Sequence, residues 1–264
     1  MSLRHSVQTF DPDAIDRPVL ALRVDVREQE SELPMHEHRK GQLVLALRGG
    51  VTCAVETGLW MVPPGCGVWI PGGTPHSNRA TANASIVFLF VAAGAAELPA
   101  ECCTLAITPL VAELIRHLAA QAPSYVQNRS NVLAAALVAD QLAQMEKQQL
   151  HLPVSRHPQL RKIADRLTRN PSDRATVADW GRRVGMSERS LARLIVQETG
   201  MTFGRWRQQL HIIVALQALA AGASVQRVSE TLGYESVTAF ITMFKKALGK
   251  SPARYMADQA FVGA

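Results

Sequence analysis

Hydrophobic and polar positions follow two different rhythms in this chain, and the change falls near residue 152. From about residue 18 to 92 the apolar runs are short, as in VLALRV, QLVLALRG, VTCAVET and SIVFLFVA. They are separated by Gly49-Gly50, Pro63-Pro64-Gly65 and Pro71-Gly72-Gly73. Short apolar runs punctuated in this way predict an antiparallel barrel or sandwich. Thr108-Pro109 then supplies an N-cap and a first helical residue, and Leu110, Val111, Leu114, Ile115 and Leu118 fall on one helical face. A second helical pattern runs from about Asn131 to Gln149. Its stripe of Leu133, Leu137, Val138, Leu142 and Met145 would pack on the barrel or pair with a second subunit. The segment HLPVSRHP, with Pro153 and Pro158, breaks the pattern. We place the domain boundary there, with a sensing and dimerisation domain in residues 1–152 and a second domain in residues 153–264.

The second domain reads as wholly helical and contains a repeat. Val177, Trp180, Gly181, Val184 and Gly185 recur 48 positions later as Val225, Val228, Ser229, Leu232 and Gly233. Ser187, Leu191, Ile195, Gly200 and Thr202 recur 49 positions later as Ser236, Phe240, Phe244, Gly249 and Ser251, so the second copy has one extra residue in its turn. In each copy a short helix opens at a capping hydroxyl, Thr176 or Ser224, and ends at a glycine. Ser187 or Ser236 then caps a second helix, and a small residue, Gly181 or Ser229, sits where the helices would cross. This is helix-turn-helix geometry, present twice.

Charge changes the picture more than composition does. The formal net charge is +6. Residues 1–152 hold 11 Lys+Arg against 14 Asp+Glu, while residues 153–264 hold 17 against 8. A basic helical half beside an acidic one is the footprint of a domain that faces a polyanion, here double-stranded DNA. No run approaches the ~18 apolar residues of a membrane span. MSLRHSVQTFDPDAIDRP has no signal-peptide character, so the expected location is the cytoplasm. Cys53, Cys66, Cys102 and Cys103 lack metal or redox spacing and read as reduced thiols, with a redox role for the adjacent pair as the lesser alternative.

On the first recognition helix Arg189 and Arg193 lie four apart on the outward face, with Ser187 and Ala192 beside them. They are placed to enter a major groove, where arginine's fork of donors reads guanine. Ordinary surface charge is the bland alternative. The second helix presents Ser236, Val237, Thr238, Ile241 and Thr242, followed by Lys245 and Lys246. That face suits thymine methyls and phosphates but has no arginine fork, which predicts weaker, shape-dependent readout.

The stretch GYESVTAFITMFKKALGKSPARY resembles the signature of the AraC/XylS family of transcriptional regulators, and GMSERSLARLIVQETGMTFGRW resembles its upstream partner unit. The resemblance covers about residues 158–256 and departs at Thr242, where the family often has arginine. It implies a linker helix from about Phe203 to Ala221 and two recognition helices entering major-groove segments about 34 Å apart. RNA polymerase and a second copy of the chain join DNA as candidate partners.

His36-x-His38-x3-Gln42-x6-Gly49 and Gly65-x5-Pro71-x-Gly73-x2-His76 resemble the paired motifs of cupin barrels. His36 and His38, two apart on a strand, would point to one face. The resemblance would add His76 as a third nitrogen and Gln42 as an oxygen, where many metal cupins have glutamate. Three neutral imidazoles suit a divalent transition metal. The alternative is an organic effector site or plain hydrogen-bonded barrel residues. Trp60, Trp69 and Met61 read as core before effector-pocket lining, and His151 and His157 as solvent-exposed.

The fold expected is therefore a two-domain α+β chain: an N-terminal cupin-like antiparallel β-barrel with helices, and a C-terminal all-α double helix-turn-helix. The function expected is a non-enzymatic, sequence-specific DNA-binding regulator responding to a small-molecule or metal effector. A metal-dependent cupin enzyme fused to a DNA-targeting domain is the rival from another class, and an architectural DNA binder is the third reading.

Overall fold

The runs SIVFLFV and GQLVLALR are continuous rather than alternating because both faces of the strands they form are covered. They become β8 (Ser85–Val91) and β3 (Gly41–Arg48), central in a sheet ordered β1 (Val19–Asp25), β8, β3, β6 (Cys66–Ile70), β9 (Cys103–Ala106), β10 (Lys147–Gln148). A second antiparallel sheet runs β5 (Gly58–Val62), β4 (Val51–Val55), β7 (His76–Ala80), β2 (Ser31–His36). The computed structural model describes residues 10–26, 31–56, 58–62, 66–82, 84–121, 128–148, 151–153, 155 and 157–263, with the side chains of 31, 61 and 258–263 left aside. The turn Pro63-Pro64-Gly65, the Met61 side chain, and Val154 and Arg156 of the interdomain segment lie outside that description.

Period-two alternation sorts each strand between two cores. Val44, Ala46, Ile86, Phe88 and Phe90 face the second sheet and pack with its Leu33, Val51, Cys53, Trp60 and Val62. Leu43, Leu45, Val87 and Leu89 face the other way, onto α1 (Pro109–Ala119) and α2 (Arg129–Ala143). Thr108 caps α1 as its pattern predicts, accepting from the Val111 N–H, and Val111, Ala112, Ile115 and Leu118 are buried.

Two expectations need correction here. The second helix ends at Ala143 instead of near Gln149, because Lys147–Gln148 extend to pair with Leu105 and Thr104 of β9. Its apolar stripe is also split. Val138 and Leu142 are buried with Ala134, Ala135 and Ala139, whereas Leu133 is 59% and Leu137 41% exposed. Small alanines on the inward face let the helix lie close to α1 and the sheet, and that places the two leucines outside. Leu110, expected on the inward face of α1, is also exposed, because the buried stripe is Val111, Ala112, Ile115 and Leu118 and Leu110 lies one position off it.

By its contacts the chain divides into two compact units, one of Met1–Val55, Trp60–Gln149 and Ala257–Ala264, the other of Glu56–Leu59 and Leu150–Met256. The second opens with a short strand, β11 (His151–Pro153), and continues as α3 (Pro158–Arg169), α4 (Val177–Val184), α5 (Glu188–Thr199), α6 (Phe203–Ala220), α7 (Val225–Thr231), α8 (Val237–Leu248) and the start of α9 (Pro252–Gly263). Thr176 and Asp179 form a reciprocal capping box at the start of α4. Gly185 closes that helix at φ +72°. In the second copy the C-cap of α7 is Leu232 in right-handed geometry, and the positive φ falls one residue later on Gly233. A Cβ on Gly181 would lie 2.7 Å from the Met186 carbonyl oxygen, so the first helix pair needs glycine there. Its counterpart Ser229 is buried, and its hydroxyl donates to the Ser236 carbonyl at 3.3 Å.

Candidate functional site

Ser187 starts α5 by accepting from the Ser190 N–H at 3.1 Å, and Leu191 and Ile195 fix its inward face in the core. The helical period then turns Arg189 and Arg193 outward, with half-buried Ala192 beside them. Both arginines are exposed, and neither is in an ion pair among the described residues. Arg174, Arg182 and Arg183, by contrast, pair with Glu235, Asp179 and Asp173. Ser236 caps α8 by accepting from the Ala239 N–H at 3.1 Å, and Phe240 and Phe244 anchor it. Thr238, Thr242, Lys245 and Lys246 are exposed, while Val237 and Ile241 are half-buried. The Thr242 hydroxyl donates back to the Thr238 carbonyl at 2.9 Å, so its proton is already engaged.

Thr238, Thr242 and Lys246 also line an open groove of about 970 Å³ to which α6 contributes Arg207 and His211 and the loop between α3 and α4 contributes Arg174. Sequence reasoning missed both arginines. Arg207 donates to the Ala175 carbonyl at 3.3 Å and lies over the Phe203 ring. Arg174 donates to the Gly233 carbonyl and to Glu235. Their only sequence signal is the basic balance of the domain, since a linker-helix position says nothing about which groove it borders.

In the barrel, His36 and His76 are cross-strand partners in the β2–β7 register. Strand β2 ends at His36, so His38 is not two residues along the same strand, as the sequence suggested, but in the turn leading to β3. That turn is held from two sides. The Asp13 carboxylate accepts from the N–H groups of Arg39 at 2.7 Å and Lys40 at 3.1 Å, and the Gly73 N–H donates to the His38 carbonyl at 2.8 Å. A Cβ on Gly72 would sit 2.0 Å from the Arg39 carbonyl oxygen, so the chain needs glycine at this position, which the motif leaves open.

The result brings three imidazoles together, with ring centroids 4.3, 5.1 and 5.9 Å apart. Each hydrogen-bonds through Nδ1 to a main-chain carbonyl: His36 to Pro34 at 2.8 Å, His38 to Lys40 at 2.6 Å and His76 to Thr74 at 2.8 Å. Gln42, on the barrel-facing side of β3, places Oε1 3.1 Å from His38 Nε2. His76 is 1% and Gln42 2% exposed. Burial lowers the pKa of His36, and lowers that of His76 to about 4, in each case against a backbone hydrogen bond acting the other way.

The pattern of a histidine-lined barrel followed by a doubled helix-turn-helix has counterparts. The family described as an AraC-like ligand binding domain matches residues 21–170, and one described as a helix-turn-helix domain matches residues 180–258. The HTH-type transcriptional regulator NimR of Escherichia coli (strain K12) is 48% identical over 257 residues, covering 97% of this chain and 94% of NimR. The chain belongs to the AraC family of transcriptional regulators. The HTH-type transcriptional regulator RipA of Corynebacterium diphtheriae is 30% identical over 95 residues, 36% of this chain and 28% of RipA. Among solved structures, unsaturated fatty acid-bound ToxT from Vibrio cholerae covers 90% of this chain and 94% of its own, at 10% identity and a TM-score of 0.39.

Within this AraC-family chain the remaining sequence candidates resolve by burial. Trp60 and Trp69 are core residues, and the Trp69 indole N–H donates to the Pro99 carbonyl at 2.8 Å. Cys53 and Cys66 are buried, and burial raises the thiol pKa of Cys66 to about 12 and of half-buried Cys102 to about 11. Thiols held protonated are poor nucleophiles, which speaks against the redox alternative. His151 and His157 are half-buried rather than exposed, because His151 lies in β11 and His157 forms the N-cap position of α3.

Proposed function

We propose that this regulator reads DNA unequally with its two recognition helices. Arg189 and Arg193 of α5, with Ser187 and Ala192, make the base-specific contacts. Ser236, Val237, Thr238, Thr242, Lys245 and Lys246 of α8 follow groove shape and phosphates. The observation that carries this reading is that Arg189 and Arg193 are exposed, four residues apart and not engaged in ion pairs, on a helix whose opposite face is anchored by Leu191 and Ile195. Titrating the full chain against duplex DNA at rising salt tests it. Affinity should fall steeply as phosphate counterions are released, with a slope of about −0.9 per phosphate contact. A salt-independent affinity would end this assignment.

The barrel serves as a sensing domain for a small-molecule or metal effector and not as a catalytic centre, in keeping with the regulator names of the relatives. The chain works in the cytoplasm, where its DNA and RNA polymerase partners are. No described helix is long and apolar enough to cross a membrane. Exposed Leu133 and Leu137 support a homodimer through α2, which sedimentation of the full chain reads directly.

A further inference from the structure

The polar groups inside the barrel are left with unmet hydrogen bonds, the Gln42 amide nitrogen among them. Each imidazole donates its Nδ1–H to a main-chain carbonyl, of Pro34, Lys40 or Thr74, so each Nε2 presents a lone pair. With a neutral ring, His38 Nε2 then meets the Gln42 amide oxygen at 3.1 Å, acceptor against acceptor. His76 Nε2 is buried and has no hydrogen-bond partner among the described residues. A cation among the ring nitrogens and the Gln42 oxygen satisfies their lone pairs together and leaves the Gln42 NH2 free for a water or a bound ligand.

We propose that His36, His38 and His76, with the Gln42 amide oxygen as fourth donor, hold one divalent transition-metal ion whose remaining position takes an anion. One ring nitrogen from each histidine lies within 4.8 Å of the others. Small side-chain rotations close that spacing to the ~3.3 Å separating ligands that each sit about 2.0–2.1 Å from a shared ion. The carbonyls behind the rings supply the outer support that orients metal-bound imidazoles and fixes their tautomer. Imidazole-rich sets favour zinc, nickel, copper or iron over magnesium or calcium.

The anion follows from charge. All four donors are neutral, and no carboxylate of the described residues joins the cluster. A buried dication without counter-charge is costly, so the open position favours an anionic ligand. This deepens the reading of the barrel as a sensing domain and is independent of the DNA-recognition face. If the Gln42 amide were turned half a rotation, its NH2 would donate to His38 Nε2 and withdraw that nitrogen from an ion. The two orientations therefore predict different behaviour on substitution.

The test strips the full chain with a chelator and loads it with cobalt(II) alone. The expected result is about one ion per chain, with visible absorption bands that shift on adding azide. His76→Gln should lower cobalt affinity at least about a hundredfold. Gln42→Glu keeps an oxygen donor and adds the missing charge, so it should tighten cobalt binding and weaken the azide shift, with circular dichroism reading the fold of both variants. A parent that takes up no cobalt, or a folded His76→Gln protein that binds it like the parent, overturns the site. An undiminished azide shift in Gln42→Glu overturns the charge argument. Duplex binding measured on the same preparations separates the two readings, because a parent that binds DNA but no cobalt overturns only the metal site.

Discussion

Replacing Arg193 with alanine separates base reading from general electrostatics, because the perturbation is confined to the recognition face. The side chain is exposed and makes no ion pair among the described residues, so the fold loses little, and alanine is a good helix former at a mid-helix position. On the proposed reading, what is lost is a guanidinium fork that enters the major groove. A bidentate contact to one guanine carries about 1–3 kcal/mol of discrimination, or about 5- to 150-fold in Kd. Thr242→Ala removes a hydroxyl whose proton is already given to the Thr238 carbonyl, so its effect should be smaller. The assay is binding of the full chain to a randomised duplex library, read by sequencing, alongside Kd and salt slope on the best duplex. Arg193→Ala should flatten preference at one or two adjacent base pairs. A uniform loss across all sequences with the salt slope reduced by about one would make Arg193 a phosphate contact. A larger loss of preference from Thr242→Ala would refute the unequal division between α5 and α8.

Three further outcomes are expected. Gly72→Ala places a Cβ 2.0 Å from the Arg39 carbonyl oxygen and should destabilise the sensing domain by about 1–3 kcal/mol; an unchanged melting temperature would contradict that close approach. Burial lowers the His76 pKa from 6.5 to about 4, so the two states bind protons alike above pH 6.5, and below it the unfolded chain takes up a proton that the folded chain refuses. Stability of the metal-free chain should fall through this window by up to about 3 kcal/mol more than that of His76→Gln, read by urea unfolding at pH 7 and about pH 4.5; equal losses would remove His76 as the cause. Leu133→Glu with Leu137→Glu should leave the helix intact and shift the sedimenting species to a single chain; an unshifted dimer would place the interface elsewhere.

The helix-turn-helix half was legible in the sequence because its determinants are local. Thr176, Ser187, Ser224 and Ser236 occur where a helix must begin, and each accepts the N–H it was expected to cap. The outward placement of Arg189 and Arg193 follows from the helical period once Leu191 and Ile195 are inside. The repeat supplied an internal check, since two copies of one pattern share an explanation. The strand-rich half was legible as a class for the same reason, with short apolar runs between turn residues.

What the sequence could not decide depends on neighbours distant along the chain. Whether Leu133 and Leu137 are inside or outside rests on how closely the alanines of α2 let it approach α1 and the sheet, and a stripe of apolar letters reads the same either way. Arg174 and Arg207 border the α8 groove only because the fold brings the α3–α4 loop and α6, distant along the chain, to its edge. His36, His38, Gln42 and His76 were nameable from spacing, but their convergence was not derivable from it. His38 sits past the end of β2, and its ring is aimed by Asp13, Gly72 and Gly73, residues 25 to 35 positions away along the chain. The three Nδ1–H groups bond carbonyls only two residues away along the chain, but tertiary packing brought the rings together and left the His76 Nε2 buried with no partner among the described residues. Local periodicity fixes which side of an element a residue occupies, and only packing determines what lies opposite it.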